Sequence, residues 1–330
     1  MTPKALHQIL SFDIGITAGL KKAEGFLEVP VAKLDSTRLI KLPSYWLKDV
    51  DLMTNFPDGI EIYRTTSYYK KSMNAYCVVF DPKANIEMKP VMSSINKKPS
   101  ELYAKEKGVK YGCINGGYFG TQVSYSLVLC NGIMDAINIK SLSRRYNNVS
   151  TTYYPTRGAF GVTTTDVPEV TWVYHVGSGN GTLFSYLQPS LNNVRKPPQS
   201  MPTAKFPANA SIWNINSAIG GSPVLIKNNK ISITDTEELI EIDNMYSRAR
   251  SAIGHTADGK IIVLAVEGSG GIGVSLPQMA QLMKDMGCTA ALNLDGGGST
   301  AFIINGKQIV KPSDPSGERA VISAIIIKGK

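Results

Sequence analysis

Histidine is scarce in this chain: His7, His175 and His255 are the only three in 330 residues. So few argue against a multi-histidine zinc site and against a Ser-His-Asp hydrolase. Cysteine is sparse too. Cys77, Cys113, Cys130 and Cys288 lie far apart with no CxxC pair, which removes metal-finger spacing. A Cys113–Cys130 disulfide stays open, but isolated buried thiols are the favoured reading. Long apolar runs are missing: IIVLAV (261–266) and AIII (324–327) are too short to cross a bilayer. The first 30 residues lack the basic-then-apolar pattern of a secretory leader. Fixed-period repeats, low-complexity tracts and a GxxxxGK[ST] phosphate loop are likewise absent. Charged residues make up only 18%, and their net charge of +9 suits an anionic ligand. The lysine pairs 21–22, 70–71 and 97–98 form no long basic arm, so nucleic acid is not an expected partner.

What is present reads as a globular chain, 43% hydrophobic and long enough for a sizeable core. Residues 1–56 read as an N-terminal extension, with a candidate helix over Ala5–Leu20 and a segment SYWLKDVDLM that can dock on the main body. From 57 to 330 the pattern is that of one catalytic-type domain. GIEIYRTTSYY and AYCVVFD are strand-like, whereas 139–157 and 176–210 read as long loops or insertions. Near the C-terminus, GKIIVLAVEG predicts a buried strand and SLPQMAQLMKDMG a helix. Ser275 and Gln278 make its capping box, Pro277 fits the first turn, and Gly287 suits its stop. Leu276, Met279, Ala280, Met283 and Met286 form one apolar stripe for core packing. TAALNLD is the next strand, TAFIINGKQIV a hairpin turning on Asn305-Gly306, and VISAIIIK a closing strand. The expected class is α+β, a mixed β-sheet core with flanking helices.

Three apolar segments each run into a glycine pair or triplet: YGCINGGYF (111–119), SAIGGSPVLI (217–226) and ALNLDGGGSTAF (291–302). Three such strand ends predict Gly-rich loops converging on a shared cleft, where backbone N–H groups meet a ligand. A fourth, GSGGIG (268–273), matches the dinucleotide fingerprint G-x-G-x-x-G, with Asp295 some way downstream. Ser275 and Pro277 start the helix beyond its last glycine, and too little chain follows to complete a doubly wound sheet. The fingerprint is therefore set aside.

Glu267 ends IIVLAV and Asp295 ends AALNL, flanking one helix in a strand–helix–strand unit. Paired carboxylates a few ångströms apart suit acid/base or nucleophile/acid chemistry at a glycosidic carbon; the plain alternative is a turn cap or an arginine partner. Arg157, Arg248, Arg250 and Arg319 are candidates for holding phosphate, with surface solvation as their alternative. Asn115 either meets a sugar hydroxyl or tolerates a turn.

The blocks DGIEIYR (58–64), INGGYF (114–119), RGAFGV (157–162), AIGGSPVLI (218–226), RSAIGHTADGKIIVLAVEG (250–268), SLPQMAQLMKDMGCTAALNLDGGGSTAFIING (275–306) and PSDPSGERAVISAIII (312–327) resemble, in order, the phosphodiester glycosidase family. The likeness covers roughly 57–330. It implies a glycoside hydrolase cleaving the sugar C1–O bond of a sugar-1-phosphodiester, with Glu267 and Asp295 catalytic. It also implies substrate binding by Asn115, Gly116, Gly117, Arg157, Gly221, Arg250, Gly296, Gly297, Ser299, Thr300 and Arg319, with Arg250 and Arg319 clamping the phosphate. No metal and no cofactor is implied, and the setting is extracytoplasmic, secreted or at a bacterial cell envelope. The family often carries aspartate where this chain has Glu267, one methylene longer. Residues 121–156 and 176–210 match nothing in it; if they line the cleft, sugar and aglycone specificity differ. Two other readings stay open: a metal-dependent phosphodiesterase, and a non-catalytic glycan-binding module.

Overall fold

The computed structural model describes residues 39–68, 71–191, 195–240, 244–268 and 272–330. The chain divides into Met1–Thr37 and Arg38–Lys330. The candidate helix Ala5–Leu20 lies outside the described residues.

Strands dominate. The sequence-based expectation of a mixed sheet with flanking helices is corrected to a mostly β architecture with two α-helices, Pro99–Lys105 and Leu276–Asp285, among the described residues. Every strand pairing described is antiparallel. The largest sheet has eight strands. Its middle runs Ile60–Tyr68, Lys71–Phe80, Ile261–Val266, Arg250–Thr256, Cys288–Asn293, Val224–Lys227. Leu47–Lys48 adds an edge, and Trp46 beside it is buried, so the SYWLKDVDLM segment does dock on the body. A seven-stranded sheet includes Pro168–Val176, Arg157–Val162 and Ser217–Gly220, and a five-stranded one includes Phe302–Ile304, Lys110–Asn115, Val321–Gly329 and Ile86–Lys97.

The central strand Ile261–Val266 shows why its sequence is unbroken apolar. Ile261, Val263 and Ala265 join a core shared with Phe160, Ile219, Phe302 and Ile325 of the other two sheets. Ile262, Leu264 and Val266 point the opposite way, into a second core under the helix. Successive side chains alternate faces, and both faces are covered. The helix behaves as its sequence predicts: Ser275 and Gln278 close the capping box, and Leu276, Met279, Ala280 and Met283 are buried. Asn305 and Gly306 turn the hairpin at φ +51° and +76°.

The strand–helix–strand unit is real, with one difference. Arg250–Thr256, from earlier in the chain, lies between Ile261–Val266 and Cys288–Asn293 and pairs antiparallel with both. The two strands thus run the same way two strand spacings apart, about 10 Å between axes. The stretch 139–157 is no plain loop either, since Leu142–Tyr146 and Val149–Tyr153 form a hairpin. Thr182–Tyr186 gives the 176–210 insertion one strand. All four cysteines are free thiols.

Candidate active site

The three glycine loops meet. A methyl group on Gly117 would lie 2.2 Å from the Gly220 carbonyl oxygen, and one on Gly221 would lie 2.3 Å from the Asn293 carbonyl. Only glycine permits those approaches. Asp295 N–H donates to the Gly116 carbonyl (3.1 Å), and Ser222 N–H to the Asn293 carbonyl (2.9 Å). The amides of Gly116 and Gly297 donate to Ser323 and Ala249 carbonyls, and that of Gly221 to Gly158. These three glycine amides hold the loops together and are not left facing a ligand.

Asn115 is the central strut. Fully buried, it accepts from Ser251 Oγ (2.7 Å) and Ala301 N–H (3.3 Å) through Oδ1, and donates through Nδ2 to the carbonyls of Asp295 (2.8 Å) and Gly116 (3.1 Å). Its amide thereby ties strand Lys110–Asn115 to the 295–301 loop and to strand Arg250–Thr256. Thr300 is buried, with its hydroxyl 3.5 Å from Ser251 Oγ.

Asp295 is half-buried at the focus of this arrangement. Its Oδ1 accepts from Gly296 N–H at 2.9 Å, and Ser299 also donates to the carboxyl. Burial pushes its pKa up to about 6, against the opposite pull of Ser299, Gly296 N–H and the Arg319 charge. Arg319 sits on the far side of buried Ser299 (3.4 Å to Oγ) and grips Asp314 with both Nε (2.7 Å) and Nη2 (2.9 Å).

Glu267 is buried, and its Oε1 accepts from Lys311 N–H at 2.6 Å. It braces the segment that goes on to Asp314 and Arg319. Arg250 is buried at a strand start, donating from Nε to the Val274 carbonyl (2.9 Å) and from Nη2 to the Tyr246 carbonyl (3.2 Å). Arg157 is buried as well, yet it donates only to the Leu239 carbonyl (3.2 Å), and its Nε has no hydrogen-bond partner. Burial lowers its pKa, and the Glu238 carboxylate offsets part of that.

Sequence reasoning passed over three participants. Tyr118, next to Gly117, donates to the Ser222 carbonyl (2.9 Å) and accepts from Asn293 Nδ2 (3.1 Å). Burial and the Asp295 charge raise its pKa, while the Arg157 and Arg250 charges pull it down, so all three act on it electrostatically. Asn293 keeps a buried Oδ1 with no partner. Glu238, fully buried, accepts from Gly158 N–H (2.9 Å), Val224 N–H (2.8 Å), Trp172 Nε1 (3.0 Å), Thr234 Oγ1 (2.5 Å) and Ser222 Oγ. Tyr118 carried a signal, since it follows the glycine pair; Glu238 carried none, because its donors are scattered along the chain.

A cavity of about 700 Å³ lies elsewhere. Lys227, His255 and Thr289 line it, at the ends of their strands opposite to Arg250 and Asp295. Among the described residues, no three His, Cys, Asp or Glu side chains gather as metal ligands.

The phosphodiester glycosidase model matches residues 112–328. This chain belongs to the phosphodiester glycosidase family, a family of hydrolases. N-acetylglucosamine-1-phosphodiester alpha-N-acetylglucosaminidase of Mus musculus is 34% identical over 109 residues, 29% of this chain and 21% of its own length. The Bos taurus enzyme is 33% identical over 107 residues, 29% and 20% respectively. The matched stretches therefore span about a fifth of those relatives. Among solved structures, the zebrafish enzyme's catalytic domain superposes with a TM-score of 0.53 at 19% identity, covering 87% of this chain and 85% of that one. A hypothetical protein from Synechocystis gives 0.55 at 18% identity, covering 83% and 63%. At those identities the likeness is one of fold. The family match begins at Gly112, later than the expected start near 57, although Ile60–Tyr68 and Lys71–Phe80 belong to the same sheet as the matched strands.

Proposed function

We propose that this protein hydrolyses the sugar C1–O bond of a sugar-1-phosphodiester, releasing a phosphomonoester. The observation that carries the reading is Asp295: a carboxyl with a pKa of about 6, at the meeting point of three glycine loops. Departure of a phosphomonoester generates a dianion whose conjugate acid has a pKa near 6. A general acid works best when its pKa is close to that of the group it protonates and to the working pH. Asp295 is matched on both counts, so it takes the acid role, giving its proton to the bridging oxygen as the C1–O bond breaks. Charge on the leaving group also needs a cation. Arg157 fits best, because its buried guanidinium has an unsatisfied Nε and lies within electrostatic reach of Tyr118 beside Asp295. Such a fork donates to phosphate in two parallel bonds. Arg319, through Ser299, adds positive potential on the other flank.

Glu267 and Arg250 take positioning roles here, one bracing the 311–319 segment and the other anchoring 246 and 274. The same reading carries an extracytoplasmic setting, which fractionation of the source cells tests; activity confined to the cytoplasm would contradict it. The enzymatic test is release of free sugar from a methyl sugar-1-phosphodiester. Wild type is expected to turn over, with Asp295→Asn and Arg157→Gln each at least 100-fold slower, about the loss of one transition-state contact. Undiminished turnover in Asp295→Asn would overturn the assignment.

A further inference from the structure

Between Ala136 and Thr234 the only acidic residues are Asp166 and Glu169, against nine lysines and arginines. In this basic stretch stands the hairpin of Leu142–Tyr146 and Val149–Tyr153, which forms a sheet of its own. Asn147 and Asn148, at φ +47° and +62°, make the mirror-image turn that suits a two-residue hairpin. The register pairs Leu142 with Tyr153, Arg144 with Thr151 and Tyr146 with Val149, so those six share a face. Ser143, Arg145, Ser150 and Thr152 make up the other face, and all four are exposed. The first face holds every buried or half-buried side chain of the hairpin: Leu142, Tyr146, Thr151 and Tyr153. Arg144 shares that face, with its own side chain exposed to solvent.

The hairpin's foot is pinned. Buried Tyr153 donates its hydroxyl to the Lys196 carbonyl (2.6 Å), and Thr156 Oγ1 accepts from Ser190 N–H (2.8 Å). Arg157, with its unsatisfied Nε, follows at once. The positive charge of Arg144 acts on Arg157. Arg144 itself donates only to the Ser143 carbonyl (3.0 Å), and no carboxylate pairs with it among the described residues. Glu238, the carboxylate whose charge acts on Arg157, already accepts five hydrogen bonds. Two like charges that act on one another repel, and with no carboxylate paired to Arg144 among the described residues an anionic ligand can supply the counter-charge.

We propose that the inner face of the 142–153 hairpin, with Arg144 as its cation, is a subsite for a second phosphate on the substrate's aglycone. The subsite lies next to the phosphate that Arg157 takes, so it rests on the reading of Arg157 given above. A single phosphodiester between neutral groups would leave Arg144 unmatched, whereas an aglycone bearing its own phosphate fills both positions.

The test compares two sugar-1-phosphodiesters that share the sugar and differ in the aglycone, methyl or glycerol 3-phosphate, and measures tripolyphosphate and orthophosphate binding by calorimetry. Arg144→Gln should raise KM for the phosphorylated substrate about tenfold, the loss of one charge-assisted contact, and leave the methyl diester within twofold. Arg145→Gln, on the outer face, should change neither. The wild type should bind tripolyphosphate more tightly than orthophosphate, and Arg144→Gln should erase that preference. Turnover of both substrates with no dependence on Arg144 would overturn the subsite and leave the hydrolase reading intact. If neither substrate is cleaved, an Arg144-dependent tripolyphosphate preference upholds the subsite while the hydrolase reading fails. Equal effects of Arg144→Gln and Arg145→Gln would reduce the hairpin to general positive charge, and the proposal would fall.

Discussion

Replacing Asp295 by asparagine removes a charge that the folded protein holds against its own environment. The carboxyl is raised from 3.8 to about 6, a shift of about two units, chiefly by burial. At 1.36 kcal/mol per unit this is at most about 3 kcal/mol, and partial exposure to solvent reduces it to about 1–2 kcal/mol. The sign follows from the direction. A group whose folded pKa lies above its unfolded one stabilises the fold most below pH 3.8, and that contribution is lost as pH rises through 6. At pH 7.5 the wild type therefore carries an ionised, poorly solvated carboxylate. Asparagine keeps an oxygen for the Gly296 N–H, which the carboxylate accepts at 2.9 Å, and abolishes the charge. Asp295→Asn should thus be inactive yet more stable at pH 7.5, with Tm raised by about 2–4 °C. At pH 4 the gain should vanish. Thermal unfolding of both proteins at the two pH values reads this directly. An equal Tm shift at pH 4 and 7.5, or a destabilised variant at pH 7.5, would refute the account of a charge held at a cost for function.

Glu267→Gln retains an acceptor for Lys311 N–H, so turnover should stay within about threefold of wild type, whereas Glu267→Ala should lose at least tenfold as the 311–319 segment loosens; an inactive Gln variant would make Glu267 a reacting group. Asn115→Ala leaves Ala301 N–H and the Ser251 hydroxyl without their acceptor, and should cost about 2–4 kcal/mol in denaturant unfolding; a cost under 0.5 kcal/mol would contradict the strut role. With Asp295 as the acid, kcat/KM should fall about tenfold per pH unit above pH 6; a profile flat from pH 5 to 8 would remove it from that role.

Much of this molecule was legible residue by residue. The helix Leu276–Asp285 could be read because its cap, its stripe and its glycine stop are all local. The Asn305-Gly306 hairpin and the meeting of the glycine loops were legible for the same reason: backbone constraints leave their residue types behind. Sheet order was not legible. A strand–helix–strand signature looks the same whether its strands are neighbours or, as here, admit Arg250–Thr256 between them. That insertion puts one strand between those whose ends carry Glu267 and Asp295, two ends that the sequence reading allowed to lie near each other. Roles of the polar residues were hidden for a related reason. Asn115 and Arg250 stand in motif positions that suit a ligand, but each is held by protein groups from elsewhere in the chain, Asp295, Ser251 and Ala301 for Asn115 and Val274 for Arg250. Glu238 sits in an unremarkable acidic run, and its importance comes from donors at 158, 172, 222, 224 and 234.

The central claim is about which bond breaks. Hydrolysis of a sugar-1-phosphodiester by the wild-type protein in oxygen-18 water, followed by mass spectrometry of both products, tests it most directly. Cleavage at C1–O predicts one heavy oxygen in the released sugar and none in the phosphomonoester. Heavy oxygen in the phosphomonoester instead would mean that phosphorus is attacked, and would contradict the account.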